Sequence, residues 1–230
     1  MVVPDGCIDI VLINDEAPMV IGPWTEPFAA PQACGTVILG ARFHPGRAPG
    51  LLGLPASTLI NQSVSLEAVW SKAECAQFVR IIEQEGLPAR RAAMELALLD
   101  RLAHAGAVDE TMSAAIQWLA GHPDGRIEQV SEWIGIGERQ LRRRFETAVG
   151  YGPKLFQAVL RFQRLLHLSV PVSAPRNLAQ LSANVGYADQ AHMTREVRRF
   201  AGSPPTVALR SAICALRLSD LFKTDAGTPI

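Results

Sequence analysis

The sequence predicts an α+β fold in which a small β-rich amino-terminal unit with helices precedes an all-α segment containing two helix-turn-helix units. Three observations predict it. Short β-rich runs separated by turn residues fill the first 43 positions, helical periodicity dominates afterwards, and residues 127–145 are approximately repeated at 178–200.

With 230 residues, the chain is long enough for one large domain or two smaller ones, each with its own apolar core. Apolar residues make up 48% and charged residues 19%, a balance that excludes a disordered or low-complexity chain. No uncharged apolar run is long enough to span a bilayer, and the start MVVPDGCIDI lacks a basic stretch followed by an apolar core, so a cytoplasmic protein with no membrane partner is expected. Cys7, Cys34, Cys75 and Cys214 are widely spaced without a CxxC pair or a nearby His, which predicts four free, mostly buried thiols rather than disulfides or zinc.

The formal net charge of zero conceals a division. Residues 1–125 carry seven basic and fourteen acidic side chains, a net of −7, and residues 126–230 carry fifteen and eight, a net of +7. The basic half suits a polyanion, because an array of cations gains free energy by releasing the counterions condensed on phosphate.

In chain order, 7–13, 18–21 and 36–43 are rich in β-branched residues and bounded by Pro, Gly, Asn and Asp, as a small antiparallel unit requires. LLGLP opens a short helix, and 71–85 and 88–105 predict longer ones, with Ser71 and Pro88 suited to their starts. Met112, Ala115, Ile116 and Leu119 share one face of a helix at 111–120, which GHPDG ends. These features divide the chain into 1–106, a β-rich and helical sensor or dimerisation domain, 111–210, a helical domain, and a tail at 211–230. The helix at 88–105 has apolar residues enough to pack on either domain.

The repeat carries most of the functional information. Its copies are IEQVSEWIGIGERQLRRRF and LAQLSANVGYADQAHMTREVRRF. In each, a short helix meets a glycine, Gly135 or Gly186, before a second, arginine-rich helix. Leu141 and Phe145 form an inward pair in the first copy, matched by Met193, Val197 and Phe200 in the second. Arg139, Gln140, Arg142 and Arg143 then project from one helix, and Gln190, Thr194, Arg195 and Arg198 from the other, surfaces suited to a major groove. Between them PKLFQAVLRFQRLLHL, with Pro153 at its first position, forms a stiff apolar spacer of about 24 Å at 1.5 Å per residue. Lys154 at its start is placed to meet a phosphate.

These segments resemble the DNA-binding domain of AraC/XylS-type transcriptional regulators. The resemblance covers roughly 111–208 and rests on GIGERQLRRRF, VGYGPKLFQAVLRFQRLL and GYADQAHMTREVRRFAGSPP. It implies seven helices forming two helix-turn-helix units joined by a long helix, with the second helix of each unit in the major groove. It further implies base contacts near Arg139, Gln140, Arg142 and Arg143, and at Gln190, Ala191, His192, Thr194 and Arg195. Gly137 and Ala188 stand where capping serines are common in the family, and Val197 replaces an aromatic; Asp189 or Glu138 supplies the alternative terminal interaction. VVPDGCIDIVL, VIGPWTEPF and LGARFHPGRAPGLLGLPA resemble the partner domain of a subset of these regulators. Those relatives have a β-rich segment before PDGC, so the amino-terminal domain is expected to be incomplete at its start.

Bland alternatives stand beside each assignment. A lone arginine-rich helix is usually a solvated face. Two of them, each after a glycine turn and on either side of a long helix, favour double-stranded operator DNA as the partner. The scattered His44, His104, His122 and His167 define no metal site, and Asp5, Cys7 and Asp9 alternate simply because a strand has period two. No GxSxG, phosphate loop, dinucleotide fingerprint or HExxH motif is present, so neither an enzyme nor a cofactor is expected. Trp24, in the Pro-bounded GPWTEPF, is the residue placed to line a ligand pocket. The expectation is therefore a sequence-specific transcriptional regulator modulated by its amino-terminal half. A small-molecule effector, a second copy of the chain and RNA polymerase are its further expected partners. The alternatives are a DNA-binding module with a structural or oligomerising partner domain and, more remotely, an enzyme fused to DNA-binding helices.

Overall fold

A computed structural model describes residues 2–14, 16–31, 33–122, 124–169 and 178–211. The strands are β1 (Ile8–Ile13), β2 (Met19–Ile21), β3 (Ile38–Phe43) and β4 (Ser63–Ser65). They form one antiparallel sheet in the order β3-β1-β2-β4, with Ile10 opposite both Val20 and Ala41. Ile8, Ile10, Leu12 and Val20 are buried while their neighbours along each strand are not, the two-residue period of a sheet covered on one face. The short strand β4 has no counterpart in the sequence-based expectation. SVS is too short and too polar to show a strand pattern, and only its pairing with β2 makes it one.

Helices α1 (Ala48–Leu52), α2 (Lys72–Ile82) and α3 (Leu87–Ala103) cover that face. Ser71 starts α2 with a capping box: its side chain accepts from the Glu74 amide, and the Glu74 carboxylate accepts from the Ser71 amide at 2.9 Å. Met94 and Leu98 of α3 lie in the same core as the sheet, so the helix that had two possible partners belongs to the amino-terminal half. Arg101 of α3 fixes this arrangement by donating to the Leu51 carbonyl at 3.0 Å while its guanidinium lies 3.9 Å from the Trp70 ring centre.

The second half contains α4 (Glu110–Gly121), α5 (Ile127–Ile134), α6 (Glu138–Val149), α7 (Pro153–Ser169), α8 (Leu178–Asn184) and α9 (Gln190–Ala201). One continuous apolar core runs through it, from Met112 to Leu209. Helix α7 joins the two ends of that core. Its Phe156 ring lies 5.4 Å from Phe145 of α6, and further along the helix Phe162 lies 5.4 Å from Phe200 of α9. The apolar spacer thus packs against both units.

Two details depart from, or fall beyond, the sequence-based reading. Of the thiols expected to be mostly buried, Cys75 is buried, Cys7 is half-buried and Cys34 is exposed, because Cys34 lies in the turn before β3 rather than on its inner face; Cys214 lies outside the described residues. Nearly all of the expected tail at 211–230 is also outside them. Among the described residues, no helix is long and apolar enough to cross a membrane, and no group of three or more His, Cys, Asp or Glu side chains is arranged to hold a metal ion.

Candidate nucleic-acid interface

The first candidate surface is built by the turn between α5 and α6. Gly135 ends α5 at φ 71°, a left-handed conformation that costs an L-residue roughly 1 kcal/mol or more, and its amide bonds back to the last turn. The buried Ser131 hydroxyl donates to the Ile136 carbonyl and closes the turn. Helix α6 then starts at Gly137, which has no side chain with which to cap it. Leu141 and Phe145 are fully buried, and their spacing fixes which face α6 turns outward. Arg139, Gln140, Arg142 and Arg143 are all exposed on that outward surface.

The arginines of α6 differ in what they do. Arg144 points inward and pins α6 to α4, donating to both oxygens of Asp109 at 3.0 and 2.5 Å. Burial of Asp109 opposes its ionisation, but the Arg144 hydrogen bonds and the Met112 amide outweigh it and hold the carboxyl below its usual range. Asp109 therefore caps α4 and locates α6 together. Arg142 pairs along its own helix with Glu146 at 2.9 Å. Arg139 and Arg143 make no ion pair among the described residues, which leaves their guanidinium donors available.

In the second unit, Asp189 caps α9 by accepting from the His192 amide at 2.6 Å, the terminal interaction expected of it in place of a serine. Met193, Val197 and Phe200 are fully buried. Gln190, Ala191, Arg195 and Arg198 are exposed; His192 and Thr194 are half-buried. The Thr194 hydroxyl donates back to the Gln190 carbonyl at 2.8 Å. The His192 Nε2 lies 3.3 Å from Glu196, whose carboxylate also accepts from Arg161 of α7 at 3.0 Å. Arg161 and Glu196 are only 13% and 15% exposed, so this pair is a buried tie between the connecting helix and α9. Burial, and then the Glu196 charge, pushes the nearby Tyr187 phenol well above its ordinary value. Sequence reasoning missed both Asp109–Arg144 and Arg161–Glu196, since partners 35 residues apart leave no periodic signal.

Beside α6 lies an open cleft of about 1220 Å³. Arg126, Arg139, Arg142 and Lys154 line it together with Glu128, Glu138 and Glu146. Ser57 and Ile60 of the amino-terminal half form part of its wall. Lys154 is exposed in the first turn of α7, where its ammonium and the partial positive charge of the helix terminus favour an anion. Arg126 was not among the expected site residues. Away from this surface, Trp24 stacks on Phe28 with ring centres 4.2 Å apart. Cys7 sits near Asp5 and Arg42, and burial followed by the Asp5 charge raises its thiol to about 12, so it is not a ready nucleophile at neutral pH.

Residues 130–211 match the family described as Helix-turn-helix domain, and residues 1–65 match the Domain of unknown function (DUF6597). No curated protein matches the chain. Among solved structures, it is similar to a transcriptional regulator from Chromobacterium violaceum described as AraC-type DNA-binding domain-containing, at 18% identity over 45% of this chain and 92% of that one, with a TM-score of 0.41. It is also similar to the C-terminal domain of AraT, a response regulator from Geobacillus stearothermophilus, at 19% identity over 44% of this chain and 84% of that one, with a TM-score of 0.40.

Proposed function

We propose that this chain, whose residues 130–211 match a helix-turn-helix domain and whose residues 1–65 match a DUF6597 domain, is an AraC-type, sequence-specific transcriptional regulator that reads operator DNA with α6 and α9. The observation that carries the reading is the exposure of the polar side chains on two helices whose opposite faces are each fixed by fully buried residues. Arg139, Gln140, Arg142 and Arg143 meet base edges from α6, and Gln190, Ala191, His192, Thr194, Arg195 and Arg198 form the α9 surface, with Lys154 on phosphate. Arginine offers two parallel donors to guanine O6 and N7, and glutamine matches adenine N6 and N7. Residues 111–210 act as the DNA-binding domain and 1–106 as the modulating one.

Modulation by a small molecule is the finer part of the proposal. A cavity of about 350 Å³ between β3 and α3, lined by Leu39, Phe43, Met94 and Leu98 together with Arg91, has the size and apolar character of a ligand site. An effector acts only if it binds the DNA-competent and incompetent states differently. A second copy of the chain and RNA polymerase complete the proposed set of partners.

Selection of the full-length protein on random duplex DNA, followed by footprinting, tests the central claim. Enrichment of a motif with two protected major-groove segments is the expected result. Failure to enrich any sequence would sink it.

A further inference from the structure

We infer that the loop from Pro23 to Phe28 is an external strut that sets the separation and orientation of the two recognition helices, making the amino-terminal half a determinant of operator spacing. The inference rests on the two-groove reading above. Its starting point is a pair of contacts. Gly150 ends α6, and a Cβ placed there would lie 2.7 Å from Cγ of Pro23. Gly202 ends α9, and a Cβ there would lie 3.2 Å from Cγ of Pro27. The two prolines of one short loop thus rest on the carboxy-terminal caps of both arginine-rich helices. Only glycine admits the closer of these approaches.

The loop is itself held firmly. The Thr25 amide donates to Asn61 Oδ1 at 2.8 Å, and Asn61 Nδ2 donates to the Thr25 hydroxyl at 2.9 Å. The Asn61 amide donates to the Pro23 carbonyl at 3.1 Å. Trp24 stacks on Phe28, and Phe28 exchanges backbone hydrogen bonds with Val2 at 2.8 and 2.9 Å. Two residues further on, the Pro4 carbonyl accepts from Gln163 of α7 at 2.5 Å. The amino-terminal half therefore meets the helical half near the end of α6, near the end of α9 and on the helix between them. Three separated points define the orientation of a body.

Magnitudes explain why such a strut matters. Four residues span at most about 14 Å, so the loop ties the two helix ends within a short, fixed reach. With α7 alone, a tilt of about 10° over its roughly 24 Å moves the far end by about 4 Å, more than one base-pair rise of about 3.4 Å. A bend that small is enough to shift the second helix out of register. The contacts are at the carboxy-terminal ends, which leaves the amino-terminal turns of α6 and α9, the turns that enter a groove, uncovered.

The test uses the full-length Pro23→Ala/Pro27→Ala variant, with Pro27→Ala alone as the milder form if the double variant unfolds early. Duplexes carry both selected boxes at the preferred spacing, with one base pair added or removed, or with the second box scrambled. Wild type should lose about tenfold in affinity for each altered spacing, in the range of a mismatched site, and the variant should lose about twofold or less. Its affinity for the duplex with the scrambled second box should match wild type. A folded variant with the wild-type spacing penalty overturns the strut. If scrambling the second box leaves wild-type affinity unchanged, the two-groove reading fails, and the strut is judged by geometry. Spin labels on genetically encoded ketone residues at the exposed positions Glu132 and Ala183 report the distance between the two units by pulsed EPR. A broadened or shifted distribution in the proline variant supports the strut, and superimposable distributions overturn it.

Discussion

Arg143 is exposed on the outward face of α6 and makes no ion pair among the described residues, whereas its neighbour Arg144 is committed to Asp109. Replacing Arg143 should therefore alter recognition and spare folding. Arg143→Ala is expected to reduce discrimination at one operator position by about 1 to 3 kcal/mol, the loss of a bidentate guanine contact. Binding to single-base operator variants at fixed salt, with thermal unfolding alongside, checks this. Equal losses on cognate and non-cognate DNA would assign Arg143 to phosphate instead. A second residue-scale prediction concerns Glu74, whose carboxyl is held down at about 2 by hydrogen bonds from Ser71 and then by Arg101. A carboxyl depressed below its unfolded value of about 4.3 contributes stability above that pH and loses it as pH falls through about 2. Glu74→Gln should consequently melt at a lower temperature than wild type at pH 7, and the gap should close between about pH 4 and pH 2. A gap independent of pH would show that the charge does not matter.

At the scale of elements, α6 and α9 are positioned by burial, and their outward chemistry follows from it. Phe145 is fully buried and touches Phe156 of the connecting helix, so Phe145→Ala removes the contact that aligns two helices. A loss of about 3 to 5 kcal/mol in unfolding free energy is expected, with DNA binding falling on all sequences alike. Denaturant unfolding measures it, and a loss below about 1 kcal/mol would mean that α6 is held mainly by its polar ties. The helix starts differ in a testable way. Asp189 caps α9, but Gly137 offers α6 no side chain. The backbone of Gly137, at φ −67° and ψ 150°, accepts any residue, so Gly137→Ser should stabilise the protein by a few tenths of a kcal/mol. A lower melting temperature would show that a side chain there clashes.

For the whole molecule, the separation of charge between an acidic first half and a basic second half predicts salt-sensitive DNA binding. Lys154 lies in the cleft beside α6 with Arg126, and it faces solvent. Lys154→Gln should lower the slope of log affinity against log salt by about one, with sequence preference preserved. An unchanged slope would place Lys154 away from phosphate. The amino-terminal half also contributes Ser57 and Ile60 to that cleft and Pro23 and Pro27 to the helix ends, so the two halves touch at several points.

Patterns that repeat along the chain are legible in its residues. The period-two burial of β1, the inward faces Leu141–Phe145 and Met193–Val197–Phe200, the glycine turns and the Ser71 start are local, because strand and helix geometry convert spacing into direction. The outward placement of Arg139, Gln140, Arg143 and Arg195 followed from the same geometry, as did the double helix-turn-helix plan. What joins distant positions emerges with folding. The pairing that makes Ser63–Ser65 a strand, the membership of α3 in the first core, the diversion of Arg144 to Asp109 and of Arg161 to Glu196, and the seating of Pro23 and Pro27 on Gly150 and Gly202 all depend on packing in three dimensions. Such contacts carry no fixed spacing, since they form wherever folding brings two surfaces together, and one arginine among its neighbours becomes structural only when an unrelated segment presents the carboxylate it meets.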